Sequence, residues 1–483
     1  MKTKLITGIK KSTGKGIALM AVLGLSLLAY RPAQAQDQNP PSATPQQLDD
    51  NAVSGITNGM GVSQGGKGGF WGYAFGDYAW MANGDSAGRG TKQQYKGLGM
   101  AGQNSHPNAM EIRRAYLGYD YNPDKKFSGC VLLAYEGDQD VNDNRTMYMK
   151  YAYIKWKGIF KGSDLRIGQM ATNSFADAYN TEPLLSYRSV EKTIMDIHGM
   201  DASSDMGVYL GGKIIKFKSA DSTKFPSFIG YSAMIGDNAA NNPVPYFTNA
   251  IATSLIGSSI SPSGSIILNP YSYKLDNAKK FRGHVYFNTL NGALTVGAYG
   301  DFINYGNFYY NNKAYLHQVY TAKVYAVYNS KWFGGGFEAV QQTATNGEGV
   351  TAAKGGTGTT DTISAVQEGI STFAHATLIQ NTLNVFARFD YYVPDAQYAY
   401  NYNSSIKAPN ESYNSFGFGN VTGANISYTE TFINVGLDWT PIKSKRVHLM
   451  PNVWYYGIKN AYGSDNLAAS SYLLYRISFL YAF

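Results

Sequence analysis

The last thirteen residues, 471–483, read SYLLYRISFLYAF. Leu473, Tyr475, Ile477, Phe479, Tyr481 and Phe483 fall on one face of an extended chain, with Arg476 and Ser478 on the other. A period of two, with one apolar and one polar side, is the pattern of a strand whose two faces meet different surroundings. It recurs upstream. In 381–393, Leu383, Val385, Ala387, Phe389 and Tyr391 oppose Asn384, Arg388 and Asp390. In 279–290, Phe281, Val285 and Phe287 oppose Lys280, Arg282, His284 and Asn288, and in 428–440, Ile433, Val435, Leu437 and Trp439 oppose Glu430, Asn434 and Asp438.

Extended along the chain, the pattern predicts 16 strands, near 68–83, 110–121, 126–138, 146–157, 164–170, 205–216, 226–236, 278–289, 293–304, 316–328, 331–345, 364–379, 382–394, 428–440, 445–457 and 471–483. Their connections alternate between long (84–109, 171–204, 237–277, 346–363, 395–427) and short (122–125, 290–292, 329–330, 380–381, 441–444). Hydrocarbon cannot satisfy an open strand edge, so a sheet with one apolar face in a membrane must close on itself. Short turns on one rim and long loops on the other then predict an all-β, 16-stranded antiparallel transmembrane barrel, turns periplasmic and loops extracellular. A strand running to a C-terminal Phe is the ending typical of such outer-membrane barrels. At this strand number the lumen is wide enough to hold water.

Composition agrees. The chain has 483 residues, of which only 15% are charged, with 40 Tyr and 53 Gly, and no stretch of about 18 apolar residues that would make a membrane-spanning helix. The net charge of +8 is concentrated at the start: residues 1–35 hold Lys2, Lys4, Lys10, Lys11, Lys15 and Arg31 and no acid, leaving 8 − 6 = +2 for the rest. Nucleic acid is therefore not an expected partner. The same 35 residues combine a basic stretch, an apolar run IALMAVLGLSLLA and the small-x-small triplet Ala33-Gln34-Ala35, the makeup of a cleaved secretory signal. Residues 36–66 are predicted to be a mobile N-terminal segment and 67–483 the barrel. Cys130 is the single cysteine, which excludes intrachain disulfides and multi-cysteine metal sites.

The polar face of each strand supplies the residues expected to line the lumen. The basic ones are Arg114, Arg166, Lys280, Arg282, Lys323, Arg388 and Arg476; the acidic ones are Asp120, Glu136, Asp301, Glu338, Asp390, Glu430 and Asp438. For each the ordinary expectation is solvation by lumen water. Opposed basic and acidic walls would order water across the channel, and a ring of one sign would select ions. Trp71, Tyr73, Tyr78, Trp80, Trp156, Trp332, Trp439, Tyr455, Tyr475 and Tyr481 lie toward strand ends, where interfacial girdles are expected. None of the six His sits in a recognisable triad or metal-pair spacing, no Gly-x-Ser-x-Gly elbow occurs, and Gly65-Gly66-Lys67-Gly68-Gly69 is followed by no helical pattern. An enzyme is not expected, and neither a cofactor nor a metal.

Four segments resemble a known family. EIRRAYLGYDY (111–121) resembles the Ile-Arg-Arg-Ala-x-Leu-Gly opening of the phosphate-selective porin O and P family of Gram-negative outer membranes. DLRIGQ (164–169) followed by Phe175 resembles the strand leading into that family's pore loop; Glu191-Lys192 stands where members commonly carry Glu-Arg; and DMGV (205–208) resembles the start of the next strand. The resemblance covers roughly residues 68–216. It implies a trimeric porin: a water-filled channel for passive diffusion of small hydrophilic or anionic solutes, phosphate among them. It also implies a third long loop, 171–204, folded into the lumen, with Arg188, Glu191, Lys192, Asp177 and Glu182 as the pore constriction. Outer-membrane lipid and the barrel-assembly machinery would be the remaining partners. The competing function is a barrel scaffold or adhesin, or a transporter for an apolar ligand, although residues 36–66 have few large apolar side chains for a plug.

Overall fold

The computed structural model describes residues 68–83, 108–136, 146–174, 193–217, 227–237, 278–310, 313–350, 361–393, 396, 414–415, 428–442, 446–460 and 470–482. The expected export signal 1–35, the expected mobile segment 36–66, the terminal Phe483 and all five expected constriction residues lie outside the described residues.

The first half contributes β1 (Gly68–Asn83), β2 (Asn108–Tyr121), β3 (Phe127–Glu136), β4 (Tyr148–Phe160), β5 (Ser163–Ala171), β6 (Ser204–Lys216), β7 (Phe228–Gly236) and β8 (Lys280–Thr289). The second contributes β9 (Leu294–Tyr310), β10 (Lys313–Asn329), β11 (Phe333–Val350), β12 (Asp361–Ile379), β13 (Leu383–Val393), β15 (Tyr428–Trp439), β16 (Val447–Asn460) and β17 (Ser470–Ala482). These pair antiparallel in chain order, and β1 pairs with both β2 and β17, so 16 strands close into a barrel. A two-residue strand, β14 (Asn414–Ser415), adds to β11 through Glu348 and Gly349, outside the ring. One short helix, α1 (Ile194–Ile197), sits between β5 and β6.

The short rim is made by local chemistry. Leu290, Asn291 and Gly292 all take left-handed backbone, with φ of 52°, 58° and 86°, and turn β8 into β9 through a Gly292 N–H to Thr289 carbonyl bond of 3.1 Å. Asn and Gly tolerate that region, so the tripeptide fixes the hairpin. Between β2 and β3, the Asp124 carboxylate accepts from the backbone N–H groups of Lys126 (2.6 Å) and Phe127 (2.7 Å). Its neighbours therefore hold it below the usual aspartate range.

The two faces of the wall separate as alternation predicts. On β8, Phe281 and Val285 are about half exposed (51% and 52%) while Lys280, Arg282 and His284 are each 3% exposed. On β17, Tyr475, Ile477 and Tyr481 point outward and Arg476 and Ser478 inward. The outward side is an apolar surface far broader than single exposed side chains would make. Trp80 and Tyr475, opposite each other in the closing β1–β17 pair, stack on this outer face at 5.4 Å. Two of the expected girdle residues are placed differently. Trp71 and Tyr73 are buried inside, because they share the parity of Phe75 and Asp77 on β1.

The inner wall is also more apolar than expected for water-solvated strands. Tyr73, Phe75, Leu132, Phe386, Met450 and Leu480 form a buried cluster running round β1, β3, β13, β16 and β17. Two glycines make room for it. A Cβ at Gly436 would lie 2.6 Å from the Phe386 ring, and one at Gly336 would lie 2.5 Å from the Phe373 ring, so each ring reaches into space that a side chain on the neighbouring strand would fill.

Candidate functional site: the inner wall and its inserted segment

The two described ends of the connection between β5 and β6 are tied to each other and to distant parts of the wall. Thr172 donates to the Ala202 carbonyl (2.7 Å) and Ser174 to the Asp201 carboxylate (2.6 Å). Asn173 donates to Ser232 on β7 (2.9 Å), and Lys323 on β10 donates to the Ser174 carbonyl (3.3 Å). Thr193 caps α1, its hydroxyl accepting from the Asp196 N–H (3.2 Å), which starts the helix facing the wall. Ile194, Met195 and Met200 then bury against Tyr299, Val340 and Tyr392 on β9, β11 and β13. Gly369 on β12 is open enough for Ile194: a Cβ there would come within 2.6 Å of its methyl group.

His198 closes this contact. Its ring stacks on Tyr392 at 3.4 Å, and its Nε2 lies 4.0 Å from Glu430 on β15. Burial, reinforced by the nearby Arg388 guanidinium, pushes His198 down to about 3, so it is neutral at physiological pH. Ile197, His198, Asp390, Tyr392, Glu430, Phe432 and Tyr456 line a small, partly open pocket between α1 and the wall.

The expected basic lining residues all project inward, and their surroundings differ from simple solvation. Each is buried. Arg114 lies 3.6 Å from Glu136, Lys323 3.4 Å from Glu338, and Arg388 2.8 Å from Asp390. Lys280 bridges Asp201 (2.9 Å) and Asp301 (3.3 Å), while Arg282 bridges Asp201 (2.9 Å) and Asp205 (2.8 Å). Arg476 meets Asp77 and lies over the Trp454 ring at 3.9 Å; Arg166 lies over Tyr209 at 4.9 Å. Of the acidic set, Asp438 meets His448 at 2.8 Å, and Asp120 is half-buried. Paired charges with little water are the arrangement that offsets their own desolvation.

Further basic residues join the inner wall: Lys155 on β4, 3.3 Å from Asp164, and two that alternation hides. Strict alternation from Arg114 turns Arg113 toward lipid. Instead the β1–β2 register skips it, pairing Phe75 with Arg114 and Gly76 with Ile112, so Arg113 is the extra residue of a β-bulge and is buried beside its neighbour. Its guanidinium lies 3.7 Å from Asp77. In the β3–β4 pairing Leu132 faces Tyr151 and Leu133 faces Met149, leaving Lys150 as a second bulge residue, also inward. Lys150, Arg114, Tyr116 and Tyr148 all converge on Glu136, with Tyr148 at 2.8 Å. Two adjacent arginines in a predicted membrane strand are a signal for such a bulge, since one of them would otherwise face hydrocarbon.

No protein-family model matches the chain, and no curated protein matches it in sequence. Solved structures do. The anion-selective porin of Comamonas acidovorans shares 11% identity, with 86% of this chain and 99% of that one covered and a TM-score of 0.48. The outer membrane channel DcaP of Acinetobacter baumannii shares 11%, with 87% and 99% covered and a TM-score of 0.45. The Vibrio cholerae outer membrane protein OmpT lacking its loop L8 shares 11%, with 86% and 100% covered and a TM-score of 0.45. At that identity the likeness concerns strand architecture and says nothing of the solute.

Proposed function

We propose that this chain is an outer-membrane porin, a channel for passive diffusion of small hydrophilic solutes, exported by a cleaved signal and working as a homotrimer. The observation that carries this reading is the sorting of each strand's two faces: apolar side chains outward around a closed ring, and charged side chains inward from nearly every strand. A barrel built only as a scaffold has no need to hold ten cations inside its wall (Arg113, Arg114, Lys150, Lys155, Arg166, Lys280, Arg282, Lys323, Arg388 and Arg476).

The finer reading is that anions, phosphate among them, are preferred solutes. It is supported by the basic residues of the family-like motifs: Arg113, Arg114 and Arg166 all lie on the inner face. Arginine suits this task because its planar fork matches phosphate oxygens. Residues 171–204 would narrow the passage, with Asp177, Glu182, Arg188, Glu191 and Lys192 at the constriction.

Liposome swelling tests the reading. Vesicles holding the purified protein should swell in small neutral sugars, and in planar bilayers under a gradient of potassium chloride or potassium phosphate the reversal potential should lie on the anion side. No swelling by any small solute, with folded barrel present, would overturn the channel; a reversal potential of zero or on the cation side would overturn only the anion preference. Chemical cross-linking to a three-subunit band checks the trimer.

A further inference from the structure

Asp201 stands where the inserted segment 193–203 approaches β6, and its carboxylate is the most heavily engaged group on that segment. Arg282 grips it with Nε at 3.1 Å and Nη2 at 2.9 Å. Lys280 donates at 2.9 Å and the Ser174 hydroxyl at 2.6 Å, while the Tyr299 hydroxyl, which donates to Asp301 at 2.8 Å, lies 3.2 Å away. Side chains from β8, β9 and the opposite end of the same connection thus meet on one side chain that is 1% exposed. The carbonyl of the preceding Met200 is fixed as well, by Gln342 on β11 (2.7 Å). Elsewhere the segment is held by apolar packing of Ile194 and Met195 and by the His198–Tyr392 stack. Non-directional packing resists removal of the segment from the wall but orients it poorly; the bidentate guanidinium contact is what defines a position.

We propose that Asp201 is the positioning residue of the channel, holding residues 193–203 against β8 and β9 and so setting both the free cross-section and the local charge of the passage. This rests on the channel reading. Its electrostatic consequence is countable. Lys280 and Arg282 face three carboxylates, Asp201, Asp205 and Asp301. Removing the charge of Asp201 leaves two cations facing two carboxylates, in a confined space where each unit charge acts strongly. The segment loses its anchor and the passage becomes less negative together.

The test uses the full chain in lipid, as wild type, Asp201→Asn, Asp201→Glu and the wall-side variant Lys280→Gln, each checked for barrel folding by heat-modifiable gel mobility. In a Cys130→Ser background, Met200→Cys reports the position of the segment through labelling by a membrane-impermeant maleimide. Asp201→Asn should label faster than its parent, conduct more and shift its reversal potential toward anions, whereas Asp201→Glu should stay near the parent in all three. Lys280→Gln should raise labelling while shifting selectivity toward cations, the opposite sign. That sign difference is something a general loosening of structure would not produce. Unchanged labelling in folded Asp201→Asn and Lys280→Gln overturns the positioning role, even if the protein conducts. If the wild type does not conduct, the channel reading fails, and the labelling data still decide whether Asp201 holds the segment.

Discussion

Arg476 on β17 meets the Asp77 carboxylate on β1, two residues 399 positions apart in the chain. Their strands are the first and last of the ring, paired directly with Asp77 opposite Ser478. Arg113 on β2 reaches the same carboxylate at 3.7 Å. One buried acid therefore spans three strands at the seam where the barrel closes, and it is what allows two guanidiniums to sit inside together.

Replacing Asp77 by Ala should destabilise closure strongly. It leaves two buried cations without that partner, and breaking a buried pair costs about 3–5 kcal/mol. Urea titration of gel mobility in lipid vesicles measures it. A midpoint equal to wild type would show that the seam does not depend on this carboxylate.

The bulge on β2 makes a sharper test of register. Deleting Arg113 leaves Gly76 opposite Ile112 and Phe75 opposite Arg114, a continuous pairing in which every other residue keeps its face. The barrel should still fold, with one inner positive charge fewer and a reversal potential shifted toward cations. A deletion variant that fails to insert would show that the bulge is needed for the wall itself.

On the outer face, Val435 is 48% exposed. Val435→Arg should lower folding yield into vesicles by about 2–4 kcal/mol of apparent free energy, the cost of an Arg facing the bilayer midplane. Val435→Leu should fold normally. Equal yields for the two would place Val435 away from lipid.

At the turn rim, Asp124 is held below the ordinary aspartate value of 3.8 by the N–H groups of Phe127 and Lys126. A carboxylate whose folded value is depressed adds stability that is complete above its unfolded value and is lost as pH falls through the folded one. Wild type should thus lose more stability than Asp124→Ala as pH is lowered below about 4, where unfolded aspartate titrates. Parallel acid-unfolding curves for the two would remove Asp124 from the account.

Alternation is a local property, and where it is unbroken the strand and its faces can be read from sequence: Leu473 to Tyr481 and Phe281 to Phe287 both sort as their spacing implies. Bulges are set by pairing with a neighbouring strand, so Arg113 and Lys150 escape any single-strand reading. Trp71 and Tyr73 were legible, since Asp77 shares their parity, but their position near a strand end favours the girdle reading. The ion pairs were not legible. Asp201 meets Lys280 and Arg282 from about 80 positions away, and only a folded connection brings them together. Lumen charges expected to be water-solvated are for that reason paired instead.

Single-channel recording from the purified protein in planar bilayers decides whether the closed ring conducts. Discrete, long-lived conductance steps are expected, with a reversal potential that moves when an inner-wall charge such as Arg113 or Asp201 is changed. A protein that inserts as a heat-modifiable barrel, yet gives no conductance steps in any monovalent salt, would contradict the channel reading.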